Sequence, residues 1–139
     1  MKEATQEIIL RDIKPNVKKN PKKDIEWFCK CLGFMELRDK EKTASAIFRE
    51  IVSVSKKDQG ITSADIMKKL NISRGITVYY LNKLIKSGLV RKIGNTYELR
   101  MNNLEDTIEE IKKDAIRILE NIKEIAKDID ESMGLMKRH

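Results

Sequence analysis

A chain of 139 residues fits one compact domain with an appendage better than two full domains. Hydrophobic residues make up 40% and charged residues 37%, a mix that suits a small core under a heavily solvated surface. No apolar run approaches the roughly 18–20 residues that span a bilayer, and the amino terminus lacks a signal-peptide pattern. Cys29 and Cys31 stand too close together to staple a domain, so a cytoplasmic protein off the membrane is expected.

The net charge of +7 is unevenly placed: residues 1–102 hold 22 Lys and Arg against 12 Asp and Glu, residues 103–139 hold 7 against 10. A basic body points to a polyanion, and an acidic tail to a different partner.

Residues 1–23 read as a basic arm, with two prolines and five lysines in the run KPNVKKNPKK and only Ile8, Ile9 and Ile13 as anchors. Lys14, Lys18, Lys19, Lys22 and Lys23 are spaced for phosphates. A domain is expected over 24–102. Asp24 is a candidate cap for a short helix burying Ile25, Phe28, Cys29 and Leu32, which Gly33 ends. Asp39 is a candidate cap for a second helix burying Ala44, Ile47, Phe48, Ile51 and Val54. Thr62 or Ser63 caps a third, with Ile66 and Leu70 inward. Asn71, Ile72 and Ser73 form a tight turn, and a fourth helix runs from about Arg74 to Ser87, closed by Gly88. LVRKI, Gly94-Asn95 and TYELR then predict a hairpin in which Val90 faces Leu99, Arg91 faces Glu98 and Lys92 faces Tyr97.

The order helix, helix, turn, helix, hairpin predicts a mainly α fold with a small β-hairpin wing. The wording ITSADIMKKLNISRGITVYYLNKLIKSGLVRK resembles archaeal and bacterial regulators of the MarR/ArsR-like winged-helix superfamily in its S-R-G opening, its Y-x-L-N-K-L helix and its S-G-L-V exit. The resemblance covers about 40 of the 139 residues. It implies DNA-binding regulation, usually repression, with small-molecule or metal signals in some members.

Helical geometry leads to the same surface. At about 100° per residue, Thr77, Val78, Leu81, Leu84 and Ile85 share one face of the fourth helix. The other face carries Gly75, Ile76, Tyr79, Lys83 and Lys86, with Asn82 at its edge. Lysines suit phosphates or guanine acceptors, Asn reads adenine, and Ile meets a thymine methyl. Ser73 and Arg74 open the helix, where free N–H groups favour a phosphate. Arg91 and Lys92 stand at the wing's base. Double-stranded DNA is the expected partner. The alternative is a winged-helix adaptor for a transcription or replication complex, with Ile76 and Tyr79 as its protein contact.

In 103–139, Leu104, Ile108, Ile111, Ala115, Ile118, Ile122, Ile125 and Ile129 recur at steps of four and three, a heptad seam that asks for a second helix. The simplest partner is its own copy, so a homodimer through a C-terminal coiled coil is expected. The alternative is a tail helix folded back on its own domain. A chain ending at Asn102 is then expected to keep its fold. No metal or other cofactor is expected, because two Cys two residues apart on a helix point opposite ways and His139 is the single histidine. No phosphate loop, nucleophile elbow or His-based triad occurs, so catalysis is not expected. The operator and any small-molecule effector stay open.

Overall fold

The structure is a computed structural model and describes residues 4–15, 18, 20–35, 42–57 and 59–135. Asp39, Lys19 and His139 lie outside the described residues. The elements run α1 (Pro21–Cys31), α2 (Thr43–Ser55), β1 (Ile61–Thr62), α3 (Ser63–Leu70), α4 (Arg74–Ser87), β2 (Val90–Ile93), β3 (Thr96–Leu99) and α5 (Leu104–Met133). Four short helices and a three-stranded antiparallel sheet carry one long terminal helix. This is a mainly α winged helix-turn-helix architecture.

Helix α1 begins earlier than its sequence suggests. Asn20, not Asp24, is the cap: its side chain accepts from the N–H groups of Lys22 at 3.1 Å and Lys23 at 3.3 Å. Pro21 supplies a preset φ for the first turn. Asp24 falls inside that turn, where a carboxylate still favours the positive helix end. Residues 21–23 therefore belong to a helix and not to the arm. Gly33 ends α1 at φ 78°, and the chain turns inward to bury Phe34 and Met35.

Phe48 on α2 is the centre of the core. Its ring stacks on Phe28 at 5.5 Å and meets Phe34 at 5.4 Å, each such pair adding about 0.5–1.5 kcal/mol beyond simple burial. Ile47, Ile51, Ile66, Leu81, Leu84 and Leu89 close around it, all fully buried.

The hairpin has the register expected from its two-residue turn: Val90 opposite Leu99, Arg91 opposite Glu98, Lys92 opposite Tyr97. Gly94 takes φ 61°, as the first central residue of a II′ turn requires. A third strand, β1, is too short to leave a periodic signal. It pairs Ile61 with Tyr97 and Thr62 with Thr96. Gly60 permits that approach, since a Cβ there would lie 2.6 Å from the Thr96 hydroxyl oxygen.

The amino-terminal segment is docked, not loose. Residues 4–15 form an extended strap across the domain: the N–H of Glu7 donates to the Lys86 carbonyl at 2.9 Å, that of Arg11 to the Cys31 carbonyl at 2.8 Å. Trp27 Nε1 donates to the Ile13 carbonyl at 2.9 Å. Ile9 lies over Gly33, where a Cβ would come within 2.5 Å of it.

The core also continues past Asn102. Thr107 and Ile111 on α5 are buried, and Leu104 and Ile108 pack against the same cluster. These positions of the heptad seam are thus filled by the chain's own domain, and a chain ending at Asn102 loses core side chains. Asp114 fixes α5 in place. Arg100 grips its carboxylate with both terminal guanidinium nitrogens, Nη1 and Nη2, and Gln6 of the strap donates to Oδ2 at 2.8 Å.

The Arg100 hydrogen bonds hold the Asp114 carboxyl below the usual carboxylate range, with Gln6 and the charge of Arg117 adding to them. A depressed folded-state pKa gives stability that is complete above the unfolded value near 3.9 and fades as pH falls through the folded one. Asp114→Asn should cost about 1–3 kcal/mol at pH 7. Urea denaturation at a series of pH values should show the gap to wild type closing in acid. A gap that stays constant to pH 2 contradicts this role.

Candidate nucleic-acid interface

Helices α3 and α4 are set at an angle by a turn that the sequence specifies atom by atom. Thr62 caps α3 by accepting from the Asp65 N–H at 3.1 Å. Asn71 ends α3 in the left-handed region at φ 51°, which its short polar side chain tolerates. Ser73 then caps α4: its hydroxyl accepts from the Ile76 N–H at 3.2 Å, while its carbonyl receives the Thr77 hydroxyl at 2.8 Å. Gly88 closes α4 at φ 90° and sends the chain into the wing.

The buried arc of α4 decides what faces outward. Thr77, Leu81, Leu84 and Ser87 are buried, flanked by half-buried Tyr80 and Ile85. One sequence assignment changes here. Val78 is 38% exposed, and Tyr80 takes the flank expected for it. The arc is centred between Leu81 and Leu84, which puts Tyr80 within about 70° of its midline and Val78 near 90°.

The outward face presents Ser73, Arg74, Gly75, Ile76, Tyr79 and Asn82, all exposed, with Lys83 and Lys86 half-exposed. Lys83 Nζ sits 4.8 Å from the centre of the Tyr79 ring, and the Tyr79 and Tyr80 rings meet edge to face with centroids 5.1 Å apart. A cation held on an aromatic face stays available to an anion. The set divides along the helix. Arg74 to Ile76 stand at the open amino-terminal end, where the first helical N–H groups lack intrahelical partners and favour negative charge. Lys86 lies at the far end beside the strap, in a cleft of about 500 Å³ that it shares with Glu7, Ile9 and Phe34.

Arg91 and Lys92 sit apart, on β2. Arg91 is held across the hairpin by Glu98 at 2.7 Å, which offsets its charge. Lys92 leans towards the Tyr97 ring, 5.7 Å from its centre. The exposed wing residue that sequence reasoning passed over is Ile93, at 51%. Its place beside Gly94, at the tip of a two-residue turn, was the available signal.

Residues 49–91 match the family described as winged helix-turn-helix DNA-binding. The matched span ends where the wing begins and contains the whole helix-turn-helix. No curated protein and no solved structure matches the chain. The chain thus carries a winged helix-turn-helix DNA-binding domain, with α4 in the place of the helix that enters the major groove.

Among the described residues no group of His, Cys, Asp and Glu is arranged to hold a metal. Cys29 is fully buried, and burial pushes its thiol well above the ordinary range. Among the described residues no helix is long and apolar enough to cross a membrane.

Gly75 supplies a direct test. A Cβ at this position meets nothing within 4 Å, so the protein interior gives no reason for a glycine that costs a helix about 1 kcal/mol relative to alanine. Close approach of a partner's backbone gives one. Gly75→Ala should raise the melting temperature slightly and weaken DNA binding. Equal or tighter DNA binding removes Gly75 from the interface.

Proposed function

We propose that this chain is a sequence-specific transcriptional regulator, a repressor that acts by occupying its operator as a homodimer. The observation that carries the reading is the outward face of α4: an arginine, a glycine, an apolar side chain, a lysine-capped tyrosine and an amide on one exposed surface of a helix held rigidly by its opposite side. The family match adds DNA as the partner. The basic body adds electrostatic attraction to phosphates without regard to sequence.

The homodimer rests on α5. From Ala115 onward its stripe leaves the domain, and Ile122, Ile125 and Ile129 are each about half exposed or more. Two recognition helices about 34 Å apart then read a two-fold site. The reading assigns the chain no catalysis and no cofactor. Its free thiols fit a reducing compartment, which is where we place it.

Lysines of the amino-terminal segment and of the first turn of α1 contribute affinity in this scheme. Lys14, Lys18, Lys22 and Lys23 are exposed, but the segment before them is docked. Replacing these four lysines with Gln tests their charge without removing the strap. Binding to all DNA sequences should fall alike, and the slope of log K against log salt should lessen.

Sequence choice is tested by pairing stability with binding. Tyr79→Ala should keep the melting temperature, since the residue is 54% exposed, and reduce discrimination between selected and random DNA by about 1–3 kcal/mol. Leu81→Ala should destabilise the fold by about 2–5 kcal/mol through a core cavity. Unchanged DNA binding by a stable Tyr79→Ala/Lys83→Ala chain would favour the adaptor reading, with Ile76 and Tyr79 facing another protein.

A further inference from the structure

The exposed stripe of α5 does not stand alone. Leu119, Ile125 and Met133 are 62%, 60% and 73% exposed, and beside Leu119 the strap presents Leu10 at 69% and Ile9 at 44%. The strap and the helix border one apolar groove of about 540 Å³, lined by Ile8, Leu10, Ala115, Ile118, Leu119 and Ile122. We propose that α5 of a second copy lies in this groove, antiparallel to the first, so that the strap is part of the self-association surface. This rests on the homodimer reading above and extends it to residues at the other end of the chain.

Three observations identify the occupant. The first is width. Leu119, Ala126 and Met133 run beside the seam of Ile118, Ile122, Ile125 and Ile129, and a stripe of three positions per heptad exceeds what one helix-to-helix contact covers. In the proposed pair one edge of the stripe meets the partner's helix and the other meets the partner's strap.

The second is area. Ile9, Leu10, Leu119, Ile122, Ile125, Ile129 and Met133 are each between 44% and 73% exposed, an apolar surface of the same order as the ~800 Å² per partner of a standard stable interface.

The third is charge. Where α5 leaves the domain, Lys112, Lys113 and Arg117 alternate with Glu109, Glu110 and Asp114, whereas Asp128, Asp130 and Glu131 gather near its free end. An antiparallel copy sets Asp130 and Glu131 of each helix near Arg117 of the other. A parallel copy sets two acidic ends side by side.

The arrangement joins self-association to the reading head. The strap that borders the groove is bonded to α5 through Gln6 and Asp114, and to the last turn of α4 through Glu7 and the Lys86 carbonyl.

Sedimentation equilibrium on the full chain tests the proposal, with circular dichroism melts of each variant. Wild type should be a dimer at tens of micromolar. Leu10→Asp should keep the melt of the monomeric fold and weaken association about tenfold or more, because it puts an unpaired charge in the contact. Ile125→Asp should be monomeric. Asp130→Asn/Glu131→Gln should associate several-fold more weakly at low salt, since it removes an attraction. If Leu10→Asp pairs as wild type does while Ile125→Asp is monomeric, the strap has no part in the interface and the helix-mediated dimer stands. Tighter association of Asp130→Asn/Glu131→Gln means parallel helices and overturns the stated orientation. A monomeric wild type overturns this inference and the homodimer together.

Discussion

The burial of one arc of α4 is the constraint on which the rest of this molecule depends. Thr77, Leu81 and Leu84 are fully covered by the domain, and once they are covered the helix has no rotational freedom left. Ile76 and Tyr79 then face outward by geometry alone, and Arg74 is exposed because it opens the first turn. The caps at Ser73 and Gly88 fix where the helix starts and stops, so the outward face is fixed along the axis as well. A surface that discriminates between bases needs that rigidity, because a hydrogen bond misplaced by an ångström confers no sequence choice.

Around this helix the chain holds its remaining parts by a few polar ties. Asp114 gathers the wing's exit at Arg100, the strap at Gln6 and its own helix into one cluster. The wing is held differently. Its register follows from the turn at Gly94 and the cross-strand pair of Arg91 with Glu98, and β1 covers its inner edge. These ties span elements far apart in sequence, so the domain needs the strap and the first turns of α5 as well as the helix-turn-helix and wing.

Much of the helix-turn-helix is legible in the sequence because its determinants are local. Thr62, Asn71, Ser73, Gly88 and Gly94 each specify a cap or a turn within a few residues of themselves. A two-residue turn likewise fixes every cross-strand pair of the wing. The strap was less legible. Ile8, Ile9 and Ile13 show no period, and docking depends on Gly33 and Cys31 some twenty residues on. The long helix shows the limit most clearly. A seam of apolar residues at steps of four and three announces that something covers it, and the same spacing is met by the chain's own core at Ile108 and Ile111 and by open surface at Ile122 and Ile125. Periodicity defines a face and leaves its partner unspecified. The start of α1 was displaced for a related reason, since Asn20-Pro21 caps and opens a helix inside a run that composition reads as an arm.

The most direct measurement is a titration of the isotope-labelled protein with its selected DNA, followed by backbone amide resonances. The account predicts that the largest shifts fall between Arg74 and Lys83 on α4, with smaller ones at Arg91 to Ile93 on the wing. Resonances of α5 beyond Ala115 should stay in place. Shifts centred on α5, with α4 unmoved at saturation, would contradict the assignment of that helix face to DNA.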